Sequence, residues 1–163
     1  MPFLKKLLKF GWYGCVAHCV FEYCGDFVLC DGPSMEPTIH TNDVVLTEHY
    51  TPLWRRPQQG DVVIVRSPRN PNQFICKRVV AVPGEKIPGQ LKHLVKFVSS
   101  EKVPKGKVWL EGDNKSNSTD SKNYGPVPIG LIRGRAIATI WPPSAVQLLA
   151  PDLYAYDTNL KPR

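Results

Sequence analysis

Residues 61–82 read Asp-Val-Val-Ile-Val-Arg-Ser-Pro-Arg-Asn-Pro-Asn-Gln-Phe-Ile-Cys-Lys-Arg-Val-Val-Ala-Val. Two β-branched runs, Asp61–Arg66 and Phe74–Val82, flank a stretch of Pro, Asn and Ser at Ser67–Gln73. That order predicts two strands joined by a turn in a hairpin. The same kind of run recurs on either side, at Asp43–Thr47 (DVVLT), Lys107–Glu111 (KVWLE) and Gly134–Trp141 (GRAIATIW). Pro, Gly and Asn clusters separate them. Short strands punctuated by turns predict a mainly β body built on an antiparallel sheet.

Composition narrows the field further. The chain has 163 residues, enough for one domain with a sizeable core. Sixteen prolines leave few uninterrupted stretches of helix length, which argues against a helical bundle. No run of uncharged apolar residues is long enough for a polytopic membrane protein. The formal charge is +7, but the basic residues are dispersed and no nucleic-acid recognition motif accompanies them, so no nucleic-acid partner is expected. The five cysteines form no CxxC pair. Cys15, His18 and Cys19 can share a helix face, but free cysteine is also an ordinary small buried residue, and no metal is expected.

The amino terminus differs from the rest. Residues 1–9 are basic and residues 10–30 are mostly apolar and aromatic, interrupted by His18, Glu22 and Asp26. The stretch has the length of a bilayer span but the hydropathy of a poor one. Residues 1–30 are read as an N-terminal apolar helix serving as a membrane anchor. A soluble core helix and a targeting segment are the rivals. Residues 31–141 are the expected β domain. Residues 83–106 form a Lys-rich connection within it, and 142–163, with little periodicity, are read as a tail.

Three elements carry candidate chemistry. Gly32-Pro33-Ser34-Met35-Glu36-Pro37-Thr38 mounts a serine on a tight, Pro-flanked loop. By itself such a serine is commonly a plain turn residue. Lys77 lies in the run Phe74–Val82, where alternation places Ile75, Lys77 and Val79 on one face and Arg78 on the other. An amine among apolar neighbours loses proton affinity. A lysine tuned to roughly pH 7–8 can serve as a general base. A lysine snorkelling at a sheet edge is the plainer alternative. The third element is the polar loop Gly112–Lys122 (GDNKSNSTDSK), rich in hydroxyls and carboxylates. Two glycosylation sequons within it are short enough to arise by chance.

In order, these elements read Gly-x-Ser-Met-x-Pro-Thr, Gly-Asp-Val-Val, Lys-Arg-Val-Val-x-x-Pro-Gly and Gly-Asp-Asn-x-x-x-Ser-x-Asp-Ser. This series resembles the type I signal peptidases over residues 30–141, about two thirds of the chain. The small size resembles the mitochondrial inner membrane protease branch of that family. Gly-Pro-Ser-Met, the Asn-Ser-Thr-Asp-Ser loop and Tyr124-Gly125-Pro126 look most like its subunit 1 type, with the subunit 2 type a close competitor.

The resemblance implies a Ser/Lys endopeptidase. Ser34 would be the nucleophile, Lys77 the general base and the Ser34 backbone N–H an oxyanion donor. Ser118 would orient the lysine amine, and Asp120, with Ser121, would brace the loop. No cofactor is implied. Three departures stand out. Gly32 occupies a position where many bacterial relatives have a serine whose hydroxyl also helps the oxyanion. Lys122 replaces an arginine that pairs with the aspartate matching Asp120, and Glu85 replaces an aspartate. The implied substrates are membrane-tethered precursors whose sorting peptides are removed. The implied setting is the mitochondrial inner membrane, with the catalytic body in the intermembrane space and a paralogous subunit as partner. A bacterial-type signal peptidase and a non-catalytic partner subunit are the alternatives.

Overall fold

The computed structural model describes residues 2–50, 55–87 and 102–149. Its first element, helix α1, spans Pro2–Cys19, and a wide turn at Val20–Cys24 ends it. Eight strands follow among the described residues: β1 (Gly25–Leu29), β2 (Val44–Glu48), β3 (Val62–Arg66), β4 (Phe74–Ala81), β5 (Lys107–Glu111), β6 (Val127–Pro128), β7 (Ile132–Trp141) and β8 (Gln147–Leu148). A short helix, α2 (Ser121–Tyr124), lies between β5 and β6.

One sheet joins all eight strands, in the order β1-β2-β7-β3-β4-β5-β6, with β8 added to β7. Every pairing within it is antiparallel. The predicted hairpin is β3–β4, with Val63 opposite Lys77 and Val62 opposite Arg78. Its turn is closed by the Ser67 N–H donating to the Gln73 carbonyl at 2.8 Å.

Strand β3 explains why its sequence lacks alternation. It is central, and Val62, Val63, Ile64 and Val65 are all buried. Val62 and Ile64 join a cluster with Cys30, Met35, Ile39, Val45, Ala136 and Leu149. Val63 and Val65 join a second cluster with Val79, Val108, Leu110, Val127 and Ile132. A strand covered on both faces needs apolar residues at every position. A third group, Val80, Ala81, Val103 and Trp109, closes the far end. Val103 belongs to the Lys-rich connection, whose residues 88–101 lie outside the described residues.

Two segments differ from the hydropathy reading. Residues 25–29, grouped there with the apolar helix, form edge strand β1. At its start Asp26 faces Thr47, His49 and Arg133: the Thr47 hydroxyl donates to its carboxylate, His49 Nε2 lies 3.2 Å away, and Arg133 pairs with it at 3.2 Å. This polar knot fastens the chain to the sheet just after the helix. No helix among the described residues is long and apolar enough to cross a membrane. At the other end, residues 147–148 extend β7 through β8, and Leu149 reaches the core. Residues 150–163 lie outside the described residues.

Trp109 is the largest fully buried side chain, and its indole N–H donates to Glu111 Oε1 at 2.9 Å. Trp109→Ala should therefore cost about 3–5 kcal/mol of stability through the cavity it leaves, with the loss of the donor to Glu111 Oε1 adding to it. Urea denaturation monitored by circular dichroism measures this.

Candidate active site

The site forms where strand β4 meets two loops. Residues Arg78, Val79 and Ala81 pair with β5, whereas the register between the two strands does not extend to Lys77. At this point the 33–38 segment and the loop after β5 come together. Ser34 lies in a single 3₁₀ turn, Pro33–Met35, preceded by Gly32 at φ 90°. That positive φ is open to glycine and strained for other residues. Met35, next to the serine, is buried in the first core cluster and pins the turn.

Lys77 Nζ lies 2.6 Å from Ser34 Oγ. The lysine is 3% exposed, and no carboxylate among the described residues forms an ion pair with it. Burial pushes its amine below the ordinary lysine range, and the influence of Cys76, Asp120 and Asp113 only partly offsets this. A buried amine that gives up its charge beside a hydroxyl can accept the hydroxyl proton.

Arg78, the next residue, is equally buried at 3% but stays charged. Its Nε and Nη2 donate to the two carboxylate oxygens of Asp113 at 2.8 and 2.6 Å, and its Nη1 donates to the Gly60 carbonyl at 3.0 Å. Thr38 Oγ1 donates to the same carboxylate at 2.6 Å. A two-pronged pair of this kind fixes geometry as well as charge. It ties β4, the loop after β5 and the serine loop into one unit.

Asn114 adds two further ties. Its backbone N–H donates to the Ser34 carbonyl at 3.2 Å, and its side-chain amide donates to the Pro33 carbonyl at 3.1 Å. Gly112 makes the approach possible, because a Cβ there would overlap the Ser34 carbonyl oxygen and the Ser118 hydroxyl.

Among the residues singled out from sequence, Ser34 and Lys77 are in contact. Asp120 is buried and accepts from the Gly112 N–H at 3.2 Å and the Lys122 N–H at 3.1 Å, capping α2. Ser121 Oγ accepts from the Leu110 N–H at 2.9 Å. Both residues thus hold the loop to β5. Ser118 is placed differently: its hydroxyl is buried beside Gly112 with no hydrogen-bond partner among the described residues. Lys122 turns to Glu111, 3.1 Å away. Arg78, Asp113, Thr38 and Asn114 received no role in the sequence reading. One signal was available: a charged residue in an apolar strand needs a partner once buried.

A cleft of about 500 Å³ opens over the pair, lined by Ser34, Lys77, Met35, Ile64, Cys30 and Cys76 among others. Among the described residues no three His, Cys, Asp or Glu side chains converge where a metal ion could sit.

The chain belongs to the signal peptidase family, peptidase S26, whose model matches residues 5–95 and 89–141. It is 54% identical over 130 residues to the mitochondrial inner membrane protease subunit 1 of Mus musculus, covering 80% of this chain and 78% of that one. The Homo sapiens protein of the same name is 52% identical over 134 residues, with the same coverage. Mitochondrial inner membrane protease subunit 2 of Danio rerio is 40% identical over 128 residues, covering 76% of this chain and 68% of that one. A crystal structure of a signal peptidase I from Enterococcus faecalis aligns with 50% of this chain and 97% of its own, at 25% identity and a TM-score of 0.39.

Gly112→Ala should lower peptidase activity by about 100-fold, because the added methyl displaces the serine loop by an ångström or so. The strand signal in circular dichroism should persist. Activity measured against folded protein concentration checks both.

Proposed function

We propose that the chain is a serine endopeptidase that removes sorting peptides from precursors at the mitochondrial inner membrane, with Ser34 and Lys77 as its catalytic pair. The observation that carries this reading is the 2.6 Å contact between a hydroxyl and a buried amine of lowered proton affinity.

Neutral Lys77 takes the Ser34 proton as Oγ attacks the scissile carbonyl carbon. The oxygen of the tetrahedral intermediate then carries negative charge. The Ser34 N–H sits in the first turn of its 3₁₀ segment, where no earlier helical carbonyl claims it, and is free to donate to that oxygen. The intermediate collapses, and the departing amine takes the proton held on the Lys77 ammonium. Lys77, neutral again, removes a proton from water, which attacks the acyl ester. The second collapse returns the proton to Ser34 Oγ.

The rigid network around Arg78 and Asp113 keeps the hydroxyl and amine in register through these steps. Ser118, whose hydroxyl lies against Gly112, takes up the lysine amine when the pair reorganises during the reaction. The identities to subunit 1 proteins favour that subunit type over the subunit 2 type. A paralogous subunit is the natural partner. Helix α1 exposes Leu7, Leu8, Phe10, Trp12 and Tyr13 and also carries Lys5, Lys6 and Lys9. It provides the attachment to the inner membrane, and the β body faces the intermembrane space.

Ser34→Ala and Lys77→Met should each abolish processing of precursor peptides, whereas Ser118→Ala should leave partial activity. Peptide cleavage followed by mass spectrometry, with melting curves to establish folding, tests these variants. The pH dependence has a definite sign. The base works only when uncharged, so kcat/KM should rise with pH and level off below the pKa of an ordinary lysine, about 10.4. A flat profile between about pH 6 and pH 9 would contradict a lysine base of lowered pKa.

A further inference from the structure

Two cysteines line the cleft without any part in this chemistry. Cys30 follows β1 directly, four residues before Ser34, and Cys76 immediately precedes Lys77 on β4. They come from opposite ends of the site and meet in the same core cluster, against Ile64 and Met35. Cys30 is part of that cluster, Cys76 packs against it, and both line the same stretch of cleft wall. Both are free thiols that open on the cleft. The backbone of Cys30 is fixed on both sides: its N–H donates to the Asp43 carbonyl and its carbonyl accepts from the Asn42 N–H, each at 2.8 Å. Cys76 is fixed by its register opposite Ile64. Both backbones are thus held in place beside one cluster and one cleft wall.

The pair is also unequal. The hydrogen bond from Cys76 pulls the Cys30 thiol below the ordinary thiol range, against the effect of its burial. The same bond, together with burial, pushes Cys76 up. The direction of the two shifts makes Cys30 the better attacking group of the pair.

We propose that Cys30 and Cys76 form a reversible disulfide across the wall of the cleft, with a small-molecule disulfide such as glutathione disulfide as oxidant. The Cys30 thiolate attacks one sulfur of the oxidant, breaks its S–S bond and releases one glutathione thiolate, which takes up a proton. Cys76 then loses its proton and attacks Cys30 Sγ in the mixed disulfide. The Cys30–Cys76 bond forms and the second glutathione leaves as a thiol. Two electrons pass from the cysteine pair to the oxidant, and a dithiol such as dithiothreitol reverses the exchange. Closing the bond draws the chain before Ser34 towards the strand that carries Lys77, so the spacing of hydroxyl and amine changes. Misplacement by an ångström can cost about 100-fold in rate. Oxidation should therefore lower cleavage at least about 10-fold. The disulfide does not depend on the peptidase reading; its effect on cleavage does.

The test uses the full chain in detergent with Cys15, Cys19 and Cys24, all exposed, changed to serine. The protein is treated with glutathione disulfide, free thiols are capped with N-ethylmaleimide, and proteolytic peptides are weighed. The expected result is one linked peptide holding residues 30 and 76, lighter by two hydrogens than its separate parts. Cleavage of a precursor peptide should fall at least 10-fold and return with dithiothreitol. In the Cys30→Ala variant the ratio of oxidised to reduced rates should be near one, whatever its basal rate. Complete capping of both thiols after oxidant would overturn the proposal, and so would a linked peptide with unchanged cleavage. An equal loss of activity in Cys30→Ala would place the sensitivity elsewhere and overturn it too. If the reduced protein cleaves nothing, the peptidase reading fails, while the linked peptide still decides the disulfide.

Discussion

Two consecutive basic residues in strand β4 are both buried, and they meet burial in opposite ways. Arg78 keeps its charge because Asp113 answers it with both carboxylate oxygens, and the Gly60 carbonyl and the Thr38 hydroxyl also accept from it. A guanidinium cannot give up its proton in a protein, so its partner is obligatory. Lys77 has no such partner and faces a hydroxyl instead. An ammonium in that position loses hydration without regaining it, so the neutral form gains. The difference between the two residues separates a structural fastening from a reactive amine.

The fastening explains the order of the site. Asp113 joins strand β4 to Thr38, and its neighbour Asn114 grips the carbonyls of Pro33 and Ser34. Gly112 admits this grip by having no side chain, and Asp120 holds Gly112 from behind. Each contact is a modest hydrogen bond, but they share atoms and restrain the same few residues, so they act together. The serine turn is thereby fixed from three directions: by the network, by Met35 in the core, and by its own local hydrogen bonds. Reactive groups held this way lose little entropy on reaching the transition state.

The sequence made the strands legible wherever burial on one or both faces demanded β-branched or aromatic residues, as in β3 and β5. The setting of Ser34 and Lys77, a Pro-flanked turn and a charge among apolar neighbours, marked them as candidates, and the resemblance supplied their roles. Strand β1 was hidden, because its apolar residues continue those of the preceding segment. Val28 packs against the core while Phe27 and Leu29 are exposed, so burial alternates but polarity does not, and no apolar–polar alternation marked a strand. Strand β8 has two residues, too few for any period. The partnership of Arg78 with Asp113 spans 35 positions, and no local pattern encodes a contact between a strand and a distant loop. Ser118 was assigned by resemblance alone, and its unpaired hydroxyl beside Gly112 could not be read from spacing.

The chemistry of the site depends on burial lowering the proton affinity of the amine at position 77. The most direct test of this is an NMR titration of the lysine side chains labelled at Cε and Nζ, with the Lys77 resonance assigned by its loss in Lys77→Met. The expected midpoint lies below the ordinary value of about 10.4. A midpoint at or above that value would contradict it.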